Sequence, residues 1–88
     1  MPAAPVTVYT TSFCGHCMRV MGLLQRRGIE YTEISVEDSP GIRDELVARS
    51  GRRALPQVYL GERYLGGAEE LATMDKSGEL DRLLSEGA

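Results

Sequence analysis

Along Val6-Thr7-Val8-Tyr9-Thr10 apolar and polar side chains alternate, as they do in a half-buried β-strand. After the link Thr11-Ser12-Phe13 the period changes. Met18, Met21, Leu23 and Leu24 recur at helical spacing and mark an inner side, while Arg19, Arg26 and Arg27 are left to solvent. A helix is therefore expected from Gly15 to Arg27, with Gly28 as its stop. Ile29 to Val36 contains Tyr31, Thr32, Ile34 and Val36 and predicts a second strand. Asp38-Ser39-Pro40 reads as a helix start, Ile42, Leu46 and Val47 as that helix's apolar side, and Gly51 as its end. Pro56 to Leu60 predicts a third strand, Gly61-Glu62 a hairpin turn, and Arg63-Tyr64-Leu65 a fourth strand. Helices are expected at Ala68 to Lys76 and at Glu79 to Ser85, where Leu71 with Met74 and Leu80 with Leu83 are core pairs.

Strands alternating with helices predict a layered α/β domain whose first two strands pair in parallel through a right-handed crossover. The hairpin then extends the sheet antiparallel, so a four-stranded mixed sheet flanked by helices is expected. The 88 residues make one domain, 1–88, large enough for a single core. Ten Lys and Arg against 13 Asp and Glu leave a net charge of −3, which argues against general nucleic-acid binding. No apolar run approaches a membrane span, and Met1-Pro2-Ala3-Ala4-Pro5 lacks the basic and apolar regions of a targeting signal. The expected compartment is the cytoplasm, where thiols stay reduced.

The candidate chemistry is concentrated in Cys14-Gly15-His16-Cys17, at the junction of the first strand and the first helix. A C-x-x-C there is the signature of a thiol–disulfide redox site in a thioredoxin fold. The free N–H groups and positive dipole end of a helix start favour an anion, so Cys14 would ionise more readily, and the thiolate is the attacking form. Cys17 follows one turn later on the same face, where it can close the disulfide. His16 beside the thiolate would stabilise it further when protonated; packing or hydration next to the site is its other reading. A structural role fits the pair poorly, because cross-linking residues three apart removes little chain entropy. A closed zinc site needs four ligands, and Cys14, Cys17 and the single histidine supply three. Covalent haem attachment wants histidine where Met18 stands.

With Val8-Tyr9-Thr10 before the cysteines, Ser50-Gly51-Arg52, Leu55-Pro56-Gln57-Val58-Tyr59, Gly66-Gly67 and the run from Asp75 to Leu84, the chain resembles the glutaredoxin family. It is most similar to the dithiol type and the short bacterial glutaredoxin 3 subclass. The resemblance implies a glutaredoxin-like thioredoxin fold and a glutathione-dependent disulfide oxidoreductase, with glutathione as co-substrate and no tightly bound cofactor. It implies a cis bond before Pro56, and a Leu55 backbone that pairs with glutathione and holds its sulfur in line with Cys14. Read alone, Pro56 would merely open an edge strand. Gly67, Ala68 and Glu69 form the other half of the implied glutathione site. Glycine there lets the backbone approach, a helix start holds a carboxylate, and an acidic side chain suits an α-amino group. A Gly-Gly turn with acidic residues in the first helical turn also stabilises the helix by itself. Thr11 and Phe13 complete the implied glutathione contacts.

Four departures from the family pattern bear on the site. Thr11 stands where lysine is usual, which leaves the glutathione carboxylate to Arg43, Arg52 or Arg53, if these are not simply solvated surface. Ala54-Leu55 replaces Thr-Val, and Glu69-Glu70 replaces two aspartates. Gly15-His16 replaces Pro-Tyr in the motif and resembles protein disulfide isomerase. Glutaredoxins span about −200 to −230 mV against about −180 mV for the isomerase, so a potential at or above the upper glutaredoxin end is expected. The implied partners are glutathione, glutathionylated or disulfide-containing proteins and, indirectly, glutathione reductase, with the chain a monomer. Two other readings stand beside this one. The first is a redoxin fed by thioredoxin reductase. The second is a dimer holding a [2Fe–2S] cluster through each Cys14 and two glutathiones.

Overall fold

The computed structural model describes residues 5–86; Met1 to Ala4, on which the reading of the N-terminus rests, lie outside them. The elements are β1 (Val6–Thr10), α1 (Gly15–Arg26), β2 (Thr32–Ser35), α2 (Ile42–Ser50), β3 (Gln57–Leu60), β4 (Arg63–Gly66), α3 (Ala68–Ser77) and α4 (Glu79–Glu86). The sheet order is β2-β1-β3-β4. β1 and β2 are parallel, with Thr7 opposite Thr32 and Thr10 opposite Ser35. β3 runs antiparallel to β1, Val8 facing Val58, and the hairpin carries β4 along its outer side. The sheet is the mixed, four-stranded one that the pattern predicts.

β3 is buried along its whole length, which is why it reads as an apolar run and does not alternate. Its residues divide between two cores. Val58 and Leu60 join Val6 and Val8 of β1 against Val20 and Leu24 of α1, Leu71 of α3, and Leu80 and Leu83 of α4. Tyr59 turns to the opposite face, where it meets Val36 and Leu46, with Tyr9, Ile42, Leu55 and Tyr64 around them. Each fully buried leucine contributes about 1.5–3 kcal/mol through apolar area removed from water. Arg27, at the end of α1, pairs with Asp75 of α3 and so ties together the two helices that frame the site.

Several boundaries differ from the sequence expectation, each for a local reason. α1 buries Cys17, Val20, Leu23 and Leu24, and Met18 is 68% exposed instead of inward. The inward stripe runs through 17, 20 and 24, and Met18 lies 100° off it. β2 starts at Thr32 and not at Ile29, because the Ile29 N–H returns to the Leu24 carbonyl and the chain is still leaving the helix there. α2 starts at Ile42 and not at Asp38. Gly41 takes φ 87°, a left-handed conformation no helix continues through, so Asp38-Ser39-Pro40 becomes a turn.

Candidate active site

β1 delivers the chain to Thr10, the link 11–13 turns it, and Cys14 becomes the N-cap of α1 in extended conformation. The Cys14 Sγ accepts the Cys17 N–H at 3.1 Å. The two sulfurs are joined as a disulfide, with the Cα atoms 5.2 Å apart. Cys14 is half-buried, and Cys17 beneath it is 1% exposed. This asymmetry gives each cysteine its task. Only Cys14 can be reached by a substrate sulfur, while Cys17 can reach only Cys14.

The electrostatics favour a thiolate on Cys14. The first turn of α1 carries no acidic residue, so the helix itself does not oppose the dipole end or the Cys17 N–H aimed at the sulfur. His16 is exposed, with Nδ1 3.5 Å from a guanidinium nitrogen of Arg19 one turn on. A Cβ built on Gly15 would meet no atom within 4 Å, so the surface over the motif is bare.

A clamp holds the link in front of Cys14. The Ser12 N–H donates to Glu37 Oε1 at 2.9 Å, and the Ser12 hydroxyl donates to the same oxygen. The hydroxyl bond, then the N–H bond, hold the Glu37 carboxyl below its ordinary value of 4.5. Because the folded value is depressed, this contribution is complete above the unfolded value and lost as pH falls through the folded one. The expected result is a Ser12 amide resonance that shifts with a midpoint below 4.5. Glu37→Gln should abolish that shift, and an unchanged midpoint in the variant would assign the titration to another group.

On the far side of the motif a groove is lined by His16, Arg52, Leu55, Pro56, Tyr64 and the start of α3 from Gly67 to Glu70. The Leu55–Pro56 bond is cis, as the resemblance implies. Among the described residues no hydrogen bond ends on the Leu55 backbone, so its N–H and C=O remain open to an extended ligand. Gly67 closes onto Pro56, where an added Cβ would stand 3.2 Å from the Pro56 carbonyl oxygen. Glu70 folds back to accept the Gly67 N–H at 2.7 Å and lies 3.6 Å from Arg52. Glu69 is exposed and unengaged by these contacts.

The structure thus brings Leu55, Pro56, Gly67, Ala68, Glu69 and Arg52 into one groove with His16. Arg43 and Arg53 are not in its lining; Arg43 lies instead within Coulombic reach of Glu37. Thr11 and Phe13 line a different groove, beside Cys14 and Cys17 on the other side of the motif.

Gln57 was not singled out from the sequence. It is fully buried, and its Nε2 donates to the carbonyls of Arg52 at 2.8 Å and Ala54 at 3.2 Å, while the Tyr59 hydroxyl donates to its Oε1 at 2.9 Å. It anchors the loop that carries Leu55 and Pro56. Its signal was a lone amide in an otherwise apolar strand. Burial pushes the Tyr59 hydroxyl above its usual 10.0, which keeps it a donor to Gln57.

A buried resolving cysteine under a half-buried one, beside a cis-proline loop, is the arrangement of a thiol–disulfide exchanger. A family model described as Glutaredoxin matches residues 6–65. The chain belongs to the glutaredoxin family. It is similar to a glutaredoxin of Pseudomonas aeruginosa, 41% identical over 81 residues that cover 92% of this chain and 96% of that one. It is also similar to glutaredoxin 3 of Escherichia coli, 35% identical over 81 residues, covering 92% and 98%. Among solved structures, a glutaredoxin from Brucella melitensis superposes with a TM-score of 0.85 at 38% identity, covering 97% of this chain and 92% of that one. A buckwheat glutaredoxin in complex with glutathione superposes at 0.88 and 27% identity, covering 98% and 81%. The fold is the thioredoxin fold in its glutaredoxin form, and this glutaredoxin is a thiol–disulfide oxidoreductase with Cys14 and Cys17 as its redox pair.

Proposed function

We propose that this glutaredoxin is glutathione-dependent and reduces protein–glutathione mixed disulfides as well as protein disulfides. The observation that carries this reading is the groove beside the redox pair. It combines an open Leu55 backbone, the N–H groups at the start of α3, and the free carboxylate of Glu69. A tripeptide with an extended backbone and a zwitterionic γ-glutamyl end has complementary groups for all three. The buckwheat relative, crystallised with glutathione, supports the same reading. Glu70 is already occupied by Gly67 and Arg52, so the α-amino contact falls to Glu69. Of the three candidate arginines Arg52 lines this groove, which supports its meeting a glutathione carboxylate in the absence of a lysine at position 11.

In the reaction, the Cys14 thiolate attacks the glutathione sulfur of a protein–glutathione disulfide. The Cys14–glutathione bond forms as the protein–glutathione bond breaks, and the protein thiolate leaves and takes a proton. A glutathione thiolate then attacks the glutathione sulfur on Cys14, giving oxidised glutathione and free Cys14. With a protein disulfide, Cys14 forms the mixed disulfide, Cys17 displaces the second protein thiol, and two glutathiones restore the dithiol. The working compartment is the cytoplasm, with the chain acting as a monomer and glutathione reductase renewing its co-substrate.

The presence of Thr11 instead of lysine favours one second reading, a redoxin reduced by thioredoxin reductase. Turnover of a glutathionylated peptide under two parallel systems separates them. Fast turnover is expected with glutathione, glutathione reductase and NADPH, and little with thioredoxin reductase and NADPH. The opposite result would overturn glutathione dependence while leaving the fold and the redox pair intact.

A further inference from the structure

The second groove at the motif has a different character from the first. Its walls include Thr11, Phe13, Cys14, Met18, Met21 and Glu33, so the attacking cysteine itself opens into it. Phe13 has φ 55°, a conformation that costs a bulky L-residue energy, and its side chain is fully exposed. Met18, one turn into α1, is 68% exposed, and these two are the large exposed hydrophobics among the described residues. Two large apolar side chains kept in water in the same groove as a nucleophile are a contact surface waiting for a partner. The charge in this groove is negative. Glu33 is exposed at the strand edge, and its Oε2 accepts the Thr10 hydroxyl at 2.9 Å, which fixes where the carboxylate stands. Among the described residues no arginine or lysine lines the groove.

We propose that this groove receives the protein half of the mixed disulfide and selects for its sequence. The favoured occupant is a substrate segment whose cysteine has a large apolar neighbour and an arginine or lysine close by. The apolar neighbour packs between Phe13 and Met18, where an unbranched thioether adapts to different shapes. The cation meets Glu33, and Phe13 offers its ring face to the same charge. This deepens the function proposed above and rests on it: glutathione takes the first groove, and the departing protein thiolate leaves through the second. The exchange at Cys14 is unchanged, with one sulfur–sulfur bond formed as one breaks.

A trap that contains no glutathione tests the groove separately from that reading. In Cys17→Ser protein, the Cys14 thiolate attacks the peptide sulfur of a peptide–cysteine disulfide, the Cys14–peptide bond forming as the peptide–cysteine bond breaks and free cysteine leaves with a proton. The equilibrium constant of this exchange is measured for two peptides, one with leucine and arginine beside the cysteine and one with serine and glutamate. Each value is thereby referenced to the disulfide of the same peptide with free cysteine. The leucine–arginine peptide is expected to be favoured about tenfold or more, from one buried apolar side chain and one close charge pair. Adding Met18→Gln should lower the ratio by reducing the leucine preference. Adding Glu33→Gln, which keeps an acceptor for Thr10, should remove most of the arginine preference. Equal constants in the parent would overturn the proposal, as would a ratio that both variants leave intact. Sedimentation showing Phe13 and Met18 covered by a second copy of the chain would overturn it too. Failure of glutathione dependence is read instead in the two-reductase assay.

Discussion

Cys14→Ser is expected to abolish disulfide exchange with every substrate, whereas Cys17→Ser is expected to retain reduction of protein–glutathione mixed disulfides and lose reduction of protein disulfides. The difference follows from burial. Cys14 caps α1 at the surface and is the sulfur that substrate can reach; Cys17 is 1% exposed and is bonded to Cys14. A serine hydroxyl at position 14 stays protonated even under the dipole and the Cys17 N–H, so the nucleophile is lost outright. The fall should be at least about a thousandfold, the scale on which deleting a nucleophile acts. Serine at position 17 leaves that nucleophile in place. It removes only the internal thiol that displaces the second protein sulfur, a step the glutathione pathway does not use. Parallel assays with a glutathionylated peptide and with a protein disulfide read both outcomes. Residual activity in the Cys14 variant, or loss of both activities in the Cys17 variant, would reverse the assigned roles.

Gly66→Ala is expected to be the most destabilising small substitution near the site, and to disrupt the groove proposed for glutathione with it. Gly66 sits at φ 130°, a conformation nearly closed to L-residues, and an added Cβ would stand 2.5 Å from Glu70 Cβ and 2.8 Å from Glu70 Cγ. Neither atom can yield cheaply. Glu70 Cβ is fixed to the α3 backbone, and Glu70 is held in its fold-back by the Gly67 N–H. Backbone strain of about 1–3 kcal/mol and overpacking of about the same size sum to about 2–6 kcal/mol. Gly67→Ala is the internal control. Its φ of −104° suits any residue, and its Cβ would meet the Pro56 carbonyl oxygen at a tight but not prohibitive 3.2 Å. That variant should lose less than about 1.5 kcal/mol of stability. Urea unfolding of the two variants beside the parent provides the comparison. Equal losses would show that the Glu70 fold-back is not a rigid part of the fold.

The redox pair and the order of elements were legible in the sequence because both are local. Strand alternation, helical spacing, glycine stops and C-x-x-C at a strand–helix junction each span only a few residues, and their physics needs little beyond them. Boundaries failed where one residue's backbone overrode the side-chain pattern. At Gly41 a left-handed φ stopped α2 from reaching back to Asp38-Ser39-Pro40. Met18 looked like core because methionine at helical spacing usually is. Only the packing of α1 on β1 and β3 showed that the inward stripe runs through Cys17, Val20 and Leu24.

By itself, the sequence determined an α/β domain with a mixed sheet, a cysteine pair at the head of the first helix, and the residues from which a ligand groove is assembled. Which of those residues share a groove was a tertiary matter. Arg52 is in it while Arg43 and Arg53 are not, and Thr11 and Phe13 face a second groove on the other side of Cys14. Gln57 gained its place only when β3 lay in the middle of the sheet, where a buried amide must satisfy its donors on the loop ahead of Leu55. Side-chain type is encoded one residue at a time, whereas direction and partnership are set by how strands and helices far apart in the chain come to rest against one another.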